Sequence, residues 1–195
     1  MDKKIRLLQV IPRLDVGGAE TGCKDIAKFI ANQSYFSAIL CSGGEQIKNI
    51  DQTKVKIFKF SVQSKNPFVI FFNIFVILFI VFFYKINIIH VRSRAPAWSC
   101  YFASKLSGVP LISTFHGTYN FNNPLKKFYN SVMLRGNSVI AGSRFIFEHI
   151  KNNYNYSKEI FLIPRGIDIN YFNPKNLNIE ELNRRPRGRF GTRSH

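Results

Sequence analysis

The stretch LISTFHGTYN carries an apolar and β-branched run, Leu111 to Phe115, straight into a histidine and a glycine, His116 and Gly117. An imidazole at the end of a buried strand can exchange a proton or a hydrogen bond at the edge of a pocket. It can equally be a core histidine satisfied by a backbone carbonyl. Gly17 and Gly18, in LDVGGAE, stand between an apolar run and a helical pattern. Without side chains the backbone comes close to a ligand, and the helix start offers free N–H groups to phosphate. A turn with positive φ would use the same residues. The spacing is not G-x-G-x-x-G, so the dinucleotide fingerprint is missing. HVRSRAP places Arg92 and Arg94 after another run, where guanidinium groups would hold phosphate or carboxylate at two points, or lie solvated. IPRGID sets Arg165 and Gly166 on a turn after the last run. With no carboxylate pair, H-E-x-x-H, G-x-S-x-G or P-loop, a nucleophilic hydrolase has no support.

These residues need a scaffold, and the hydrophobic pattern describes one. Short apolar runs at 4–12, 35–42, 54–60, 86–91, 109–115, 137–143 and 159–164 read as strands. Between them, 14–33, 95–108, 123–136 and 143–154 have helical spacing. Pro96 and Pro124 stand near helix starts, Gly108 and Gly136 after helix ends, and Ser143 is an N-cap candidate. Strands alternating with helices predict an α/β chain, a Rossmann-like parallel sheet with helices on both faces. In such sheets ligands bind outside the carboxyl ends of the strands. Gly17-Gly18, His116 and Arg165-Gly166 all follow strands and would converge on that edge.

The formal charge of +17 points to an anionic partner: nucleic acid, an anionic membrane face or phosphorylated substrates. Residues 183–195, NRRPRGRFGTRSH, hold five of the twelve arginines and no acid, and are foreign to the Lys-rich body. They read as a shifted frame, a fusion scar or a disordered basic tail, and are set outside the fold. Cys23, Cys41 and Cys100 have neither zinc nor disulfide spacing, and read as small buried thiols in a reducing compartment. The first apolar run breaks at Pro12-Arg13, too short for a signal peptide, so a cytoplasmic location is expected.

Residues 67–84, PFVIFFNIFVILFIVFFY, contain seven Phe and one polar side chain, Asn73, between Lys65 and Lys85. As a helix, Phe68 to Phe83 would extend about 24 Å against roughly 30 Å of hydrocarbon. A span would also put strands of one sheet on opposite sides of a membrane. A helix on one sheet face cannot bury its whole circumference, so an apolar outer surface at the bilayer interface is expected. The alternative is an unusually apolar core helix.

Four stretches in order, VIPRLDVGGAE, INIIHVRSRAPAWSCYFASKLSGVPLISTFHG, NSVIAGSRFIFEHI and IPRGIDINYFNP, resemble the N-terminal domain of retaining GT-B glycosyltransferases of the family-4 group. They span about 170 residues, and HVRSRAPAW with HGTYNF is most similar to bacterial enzymes of lipopolysaccharide and surface-glycan synthesis. The resemblance implies an acceptor-side domain over 1–175 and an interdomain linker from 176 to 182. It implies a nucleotide-sugar donor as co-substrate, no metal or other cofactor, and a lipid-linked or lipopolysaccharide glycan acceptor, with retention. Gly17 and Gly18 would approach the donor's diphosphate, with Glu20 beside them. His116 would face the transferred sugar, with Gly117 admitting substrate. Arg165 stands where many relatives have Asn. The family's donor-binding domain has no counterpart here, so the chain alone is expected to be inactive, peripheral on the inner face of the cytoplasmic membrane. The rival readings are a non-catalytic membrane-associated binding domain, or half an enzyme needing a partner chain, and a basic nucleic-acid binder. No nucleic-acid motif accompanies the charge, and no nucleic-acid partner is expected.

Overall fold

The computed structural model describes residues 4–119 and 123–166. The chain divides into one unit, Met1–Arg165, and a second, Gly166–His195. The expected linker at 176–182, the tail at 183–195 and the YFNP stretch lie outside the described residues.

All seven expected strands form: β1 (Arg6–Val10), β2 (Phe36–Cys41), β3 (Val55–Lys59), β4 (Ile88–Val91), β5 (Leu111–Phe115), β6 (Ser138–Ala141) and β7 (Ile160–Leu162). They make one parallel sheet in the order β3-β2-β1-β4-β5-β6-β7. The helices are α1 (Gly18–Asn32), α2 (Pro67–Phe83), α3 (Arg94–Ser107), α4 (Pro124–Ser131) and α5 (Arg144–Tyr154). Their ends follow local chemistry. Asn66, Asn123 and Ser143 accept hydrogen bonds from the first turns of α2, α4 and α5. Gly108 takes the left-handed conformation, φ 73°, that stops α3.

Because strand side chains alternate, the sheet has two apolar faces. On one, Leu8, Val10, Leu40, Ile89, Val91, Phe115 and Val139 pack with residues of α2, α3 and α5 such as Ile77, Cys100 and Ile150. On the other, Ile39, Cys41 and Val55 pack with Cys23 and Ala27 of α1. The three cysteines are buried and unpaired, and burial raises each thiol's pKa, that of Cys23 to about 12.

Helix α2 packs on the sheet through Ile74, Ile77, Ile80 and Val81. It joins β3 to β4 within the same sheet, and no described helix is long and apolar enough to cross a membrane. Its one polar residue faces inward: the Asn73 amide donates to the Ser61 carbonyl at 3.2 Å.

Candidate functional site

Strands β1 and β4 are neighbours, and the chain leaves them toward opposite edges of the sheet. Beyond the carboxyl ends of such a pair, the diverging loops open a crevice. The β1 loop ends at Gly17, and Arg92 follows β4 directly. His116 follows β5, and Arg165 comes after β7.

The β1 loop is held by its neighbour. Leu14 N–H donates to the Gly43 carbonyl and Gln46 N–H to the Leu14 carbonyl, both at 2.8 Å. Gly44 is required there: its φ is 139°, and a Cβ would stand 2.3 Å from the Leu14 backbone. Gly17 and Gly18 are glycines for another reason. Neither lies in the left-handed region, Gly17 being extended at φ 177°, so a strained turn does not explain them. A Cβ on Gly17 would lie 2.3 Å from a Glu20 carboxylate oxygen, and one on Gly18 1.8 Å from Arg165 Nη1. Both obstacles are ends of flexible side chains. The glycines therefore keep open an approach to the α1 N-terminus into which Glu20 and Arg165 reach. No side chain caps that terminus, so the first-turn N–H groups face the opening without helical partners.

Arg92 is 5% exposed. Its Nη1 donates to Gln9 Oε1 at 2.8 Å, and Gln9 Nε2 donates to the Cys23 carbonyl at 2.8 Å. Its buried Nε has no partner, and no described carboxylate lies within ion-pair distance. A Cβ on Gly22 would come within 3.1 Å of its Nη2, so the guanidinium lies against the backbone of α1. Burial lowers the Arg92 pKa, with a smaller contribution from Arg165. A buried guanidinium without a carboxylate is costly unless an anion joins it.

Arg165 Nη2 lies 3.1 Å from His116 Nδ1. Arginine has only donors, so Nδ1 must be the bare nitrogen and the proton sits on Nε2. That Nε2 is buried and has no partner. Burial, then Arg92 and Arg165, push the His116 pKa down to about 3. The ring is therefore neutral near pH 7, with its proton on the buried Nε2. Beneath it His90 Nε2 meets Thr114 Oγ1 at 2.7 Å. Burial, then Arg92 and His116, hold His90 at about 3 as well.

Gly17, Gly18, Glu20, Arg92, His116 and Arg165 thus gather at one crevice, and a Cβ on Gly117 would meet nothing within 4 Å. Arg94 is turned to other work: Nη1 donates to Asn130 Oδ1 at 2.8 Å, and the guanidinium carbon stands 4.2 Å over the Tyr119 ring. Gly166, in the second unit, has open space for a Cβ. Gln9 and Thr114 escaped the sequence reading as site residues, and His90 was read only as the end of a strand. Their signal was a polar residue inside each of three buried runs, and the register pairs Gln9 with His90. A separate cavity of about 360 Å³, lined by Phe128, Arg135, Tyr154 and Tyr156 among others, contains none of the expected site residues.

The sequence model of Glycosyltransferase Family 4 matches residues 16–171. The chain belongs to glycosyltransferase family 4. A glycosyltransferase from Rickettsia africae ESF-5 is 39% identical, with a TM-score of 0.78 over 92% of this chain and 48% of that one. Anabaena HepE, solved with UDP and glucose, is 18% identical at a TM-score of 0.67, covering 91% of this chain and 49% of that one. The lipopolysaccharide outer core galactosyltransferase WaaB is 14% identical at a TM-score of 0.64, with 85% and 47% covered. These two more distant structures show the GT-B fold alone. The chain spans about half the length of the structures it matches. No curated protein matches it.

Proposed function

We propose that the crevice holds the diphosphate of a nucleotide-sugar donor and the sugar being transferred. The observation that carries this is Arg92, buried with an unpartnered Nε and no carboxylate, beside the uncapped N-terminus of α1. When the bond from the sugar's anomeric carbon to the diphosphate breaks, negative charge grows on the departing phosphate oxygen. Two guanidinium groups and a helix N-terminus stabilise charge there. His116 supplies a neutral donor, Nε2–H, to a hydroxyl of the sugar, while Arg165 fixes its tautomer. The UDP in the Anabaena structure is in keeping with a nucleotide donor. The acceptor is a lipid-linked or lipopolysaccharide glycan, as the likeness to WaaB suggests, and transfer proceeds with retention at the inner face of the cytoplasmic membrane. A nucleic-acid partner is not favoured, because the buried cation and the neutral histidine form a small polar crevice rather than a basic track.

The matched structures are about twice as long, and the crevice needs a second wall. Purified residues 1–182 should give no sustained turnover with a nucleotide sugar. In a two-domain enzyme built around this chain, His116→Ala should lower kcat on the order of 100-fold with little change in donor affinity. An unchanged kcat would assign His116 to the fold alone.

A further inference from the structure

All seven Phe of α2 are exposed, at 53 to 84%, and Phe72 also stacks on Phe60 at 5.7 Å. The buried positions of the same helix are aliphatic, apart from Asn73. The rings pair with one another along the outer surface, Phe71 with Phe75 at 5.2 Å and Phe79 with Phe83 at 5.4 Å. The apolar surface continues onto α3 through exposed Phe102 and Leu106. Trp98 links Phe102, at 5.9 Å, to Phe128 of α4, at 5.4 Å. Exposed contiguous apolar surface on this scale marks an interaction site.

Charge decides what the site meets. Between Asp51 and Glu148 the sequence holds twelve Lys or Arg and no acidic residue. That segment contains α2, α3 and α4 entire. Lys65 and Lys85 bracket α2, and Arg135 stands 5.4 Å from the Trp98 ring and 5.2 Å from the Phe128 ring. Glu20 and Asp25 lie on α1, across the sheet. A second copy of this chain would bring together two surfaces whose flanking charges are all cationic, which is repulsive. A nucleic acid would use the cations and leave seven rings in water. An anionic lipid surface satisfies both, since rings enter the acyl boundary while cations meet headgroups.

We infer that the outer face of α2, extended by α3 and α4, lies on an anionic bilayer, with α2 parallel to the surface. This deepens the lipid-linked acceptor proposed above and goes beyond residues 67–84. Flotation of the full chain with vesicles tests it, because flotation separates bound protein from aggregate. Vesicles of phosphatidylglycerol and phosphatidylethanolamine should carry the protein upward, and phosphatidylcholine vesicles several-fold less. At about 1 M salt, where charges are screened beyond roughly 3 Å, binding should fall several-fold without vanishing. Phe75→Ser with Phe79→Ser should release the protein while leaving its melting temperature unchanged. Failure to float on anionic vesicles would overturn the inference. So would complete release by salt, unfolding of the Ser variant, or a dimer of the wild type that the Ser variant dissolves. Flotation requires neither donor nor acceptor, so its failure leaves sugar transfer standing. Loss of transfer in a two-domain enzyme leaves flotation standing.

Discussion

The crevice and the outer face of α2 break the ordinary rules of burial in opposite directions. At the crevice, polar groups are buried without partners: Arg92 Nε and His116 Nε2. On α2, seven aromatic rings are more than half exposed. Each is unfavourable for an isolated chain, by lost hydrogen bonding in one case and wetted apolar area in the other. The difference is what the two proposals address separately. Buried polar groups suit the small, negatively charged ligand proposed for the crevice, and exposed rings suit the extended apolar surface proposed for α2.

The largest expected effect separates the two sides of α2. Ile77→Ala, in the core, should cost about 2–5 kcal/mol in urea unfolding. Phe79→Ala, on the outer face, should stay within about 0.5 kcal/mol. Equal losses would mean that the rings are packed, and the comparison would fail.

A second variant sharpens the crevice. Arg92→Met removes a buried charge along with its bond to Gln9. The two effects oppose, so stability should change by no more than about 1 kcal/mol. Affinity for inorganic pyrophosphate, read by calorimetry, should nevertheless fall about 10-fold or more, the worth of a charge-assisted hydrogen bond. A large loss of stability with unchanged affinity would make Arg92 a structural residue.

A third test reads the crevice through pH. His90 and His116 stay neutral in the fold down to about pH 3. In the unfolded chain each takes up a proton near pH 6.5. The unfolded state therefore binds more protons in that window. Stability is full above about pH 6.5 and falls as pH drops toward 3. His116→Gln should melt with a shallower pH dependence between about pH 6.5 and 4.5 than wild type. An identical slope would show that His116 titrates normally in the folded protein.

Much of the fold was legible because each strand carries its own short apolar run and several helices their own cap or stop, as with Ser143, Pro124 and Gly108. The site was legible only as positions after strands. Nothing local could reveal that Arg165 reaches back to His116 across 49 residues, or that Arg94 turns instead to Asn130. Gln9 stood inside an apolar run and His90 read as a strand end. Only the strand order, which sets β1 beside β4, makes them neighbours. The sidedness of α2 was hidden for a different reason: both of its faces are apolar, so periodicity could not separate them. Branching could have done so, since the buried residues Ile74, Ile77, Ile80 and Val81 are β-branched while every outward ring is Phe.

The central claim is that the crevice is built for a diphosphate. A titration of the full chain with inorganic pyrophosphate, followed by nuclear magnetic resonance, tests it directly. The account predicts that the Gly18 and Ala19 amides and the Arg92 and Arg165 guanidinium signals shift together along one saturating curve, while α2 stays silent. Shifts confined to surface lysines, with Arg92 and the start of α1 unmoved, would contradict it.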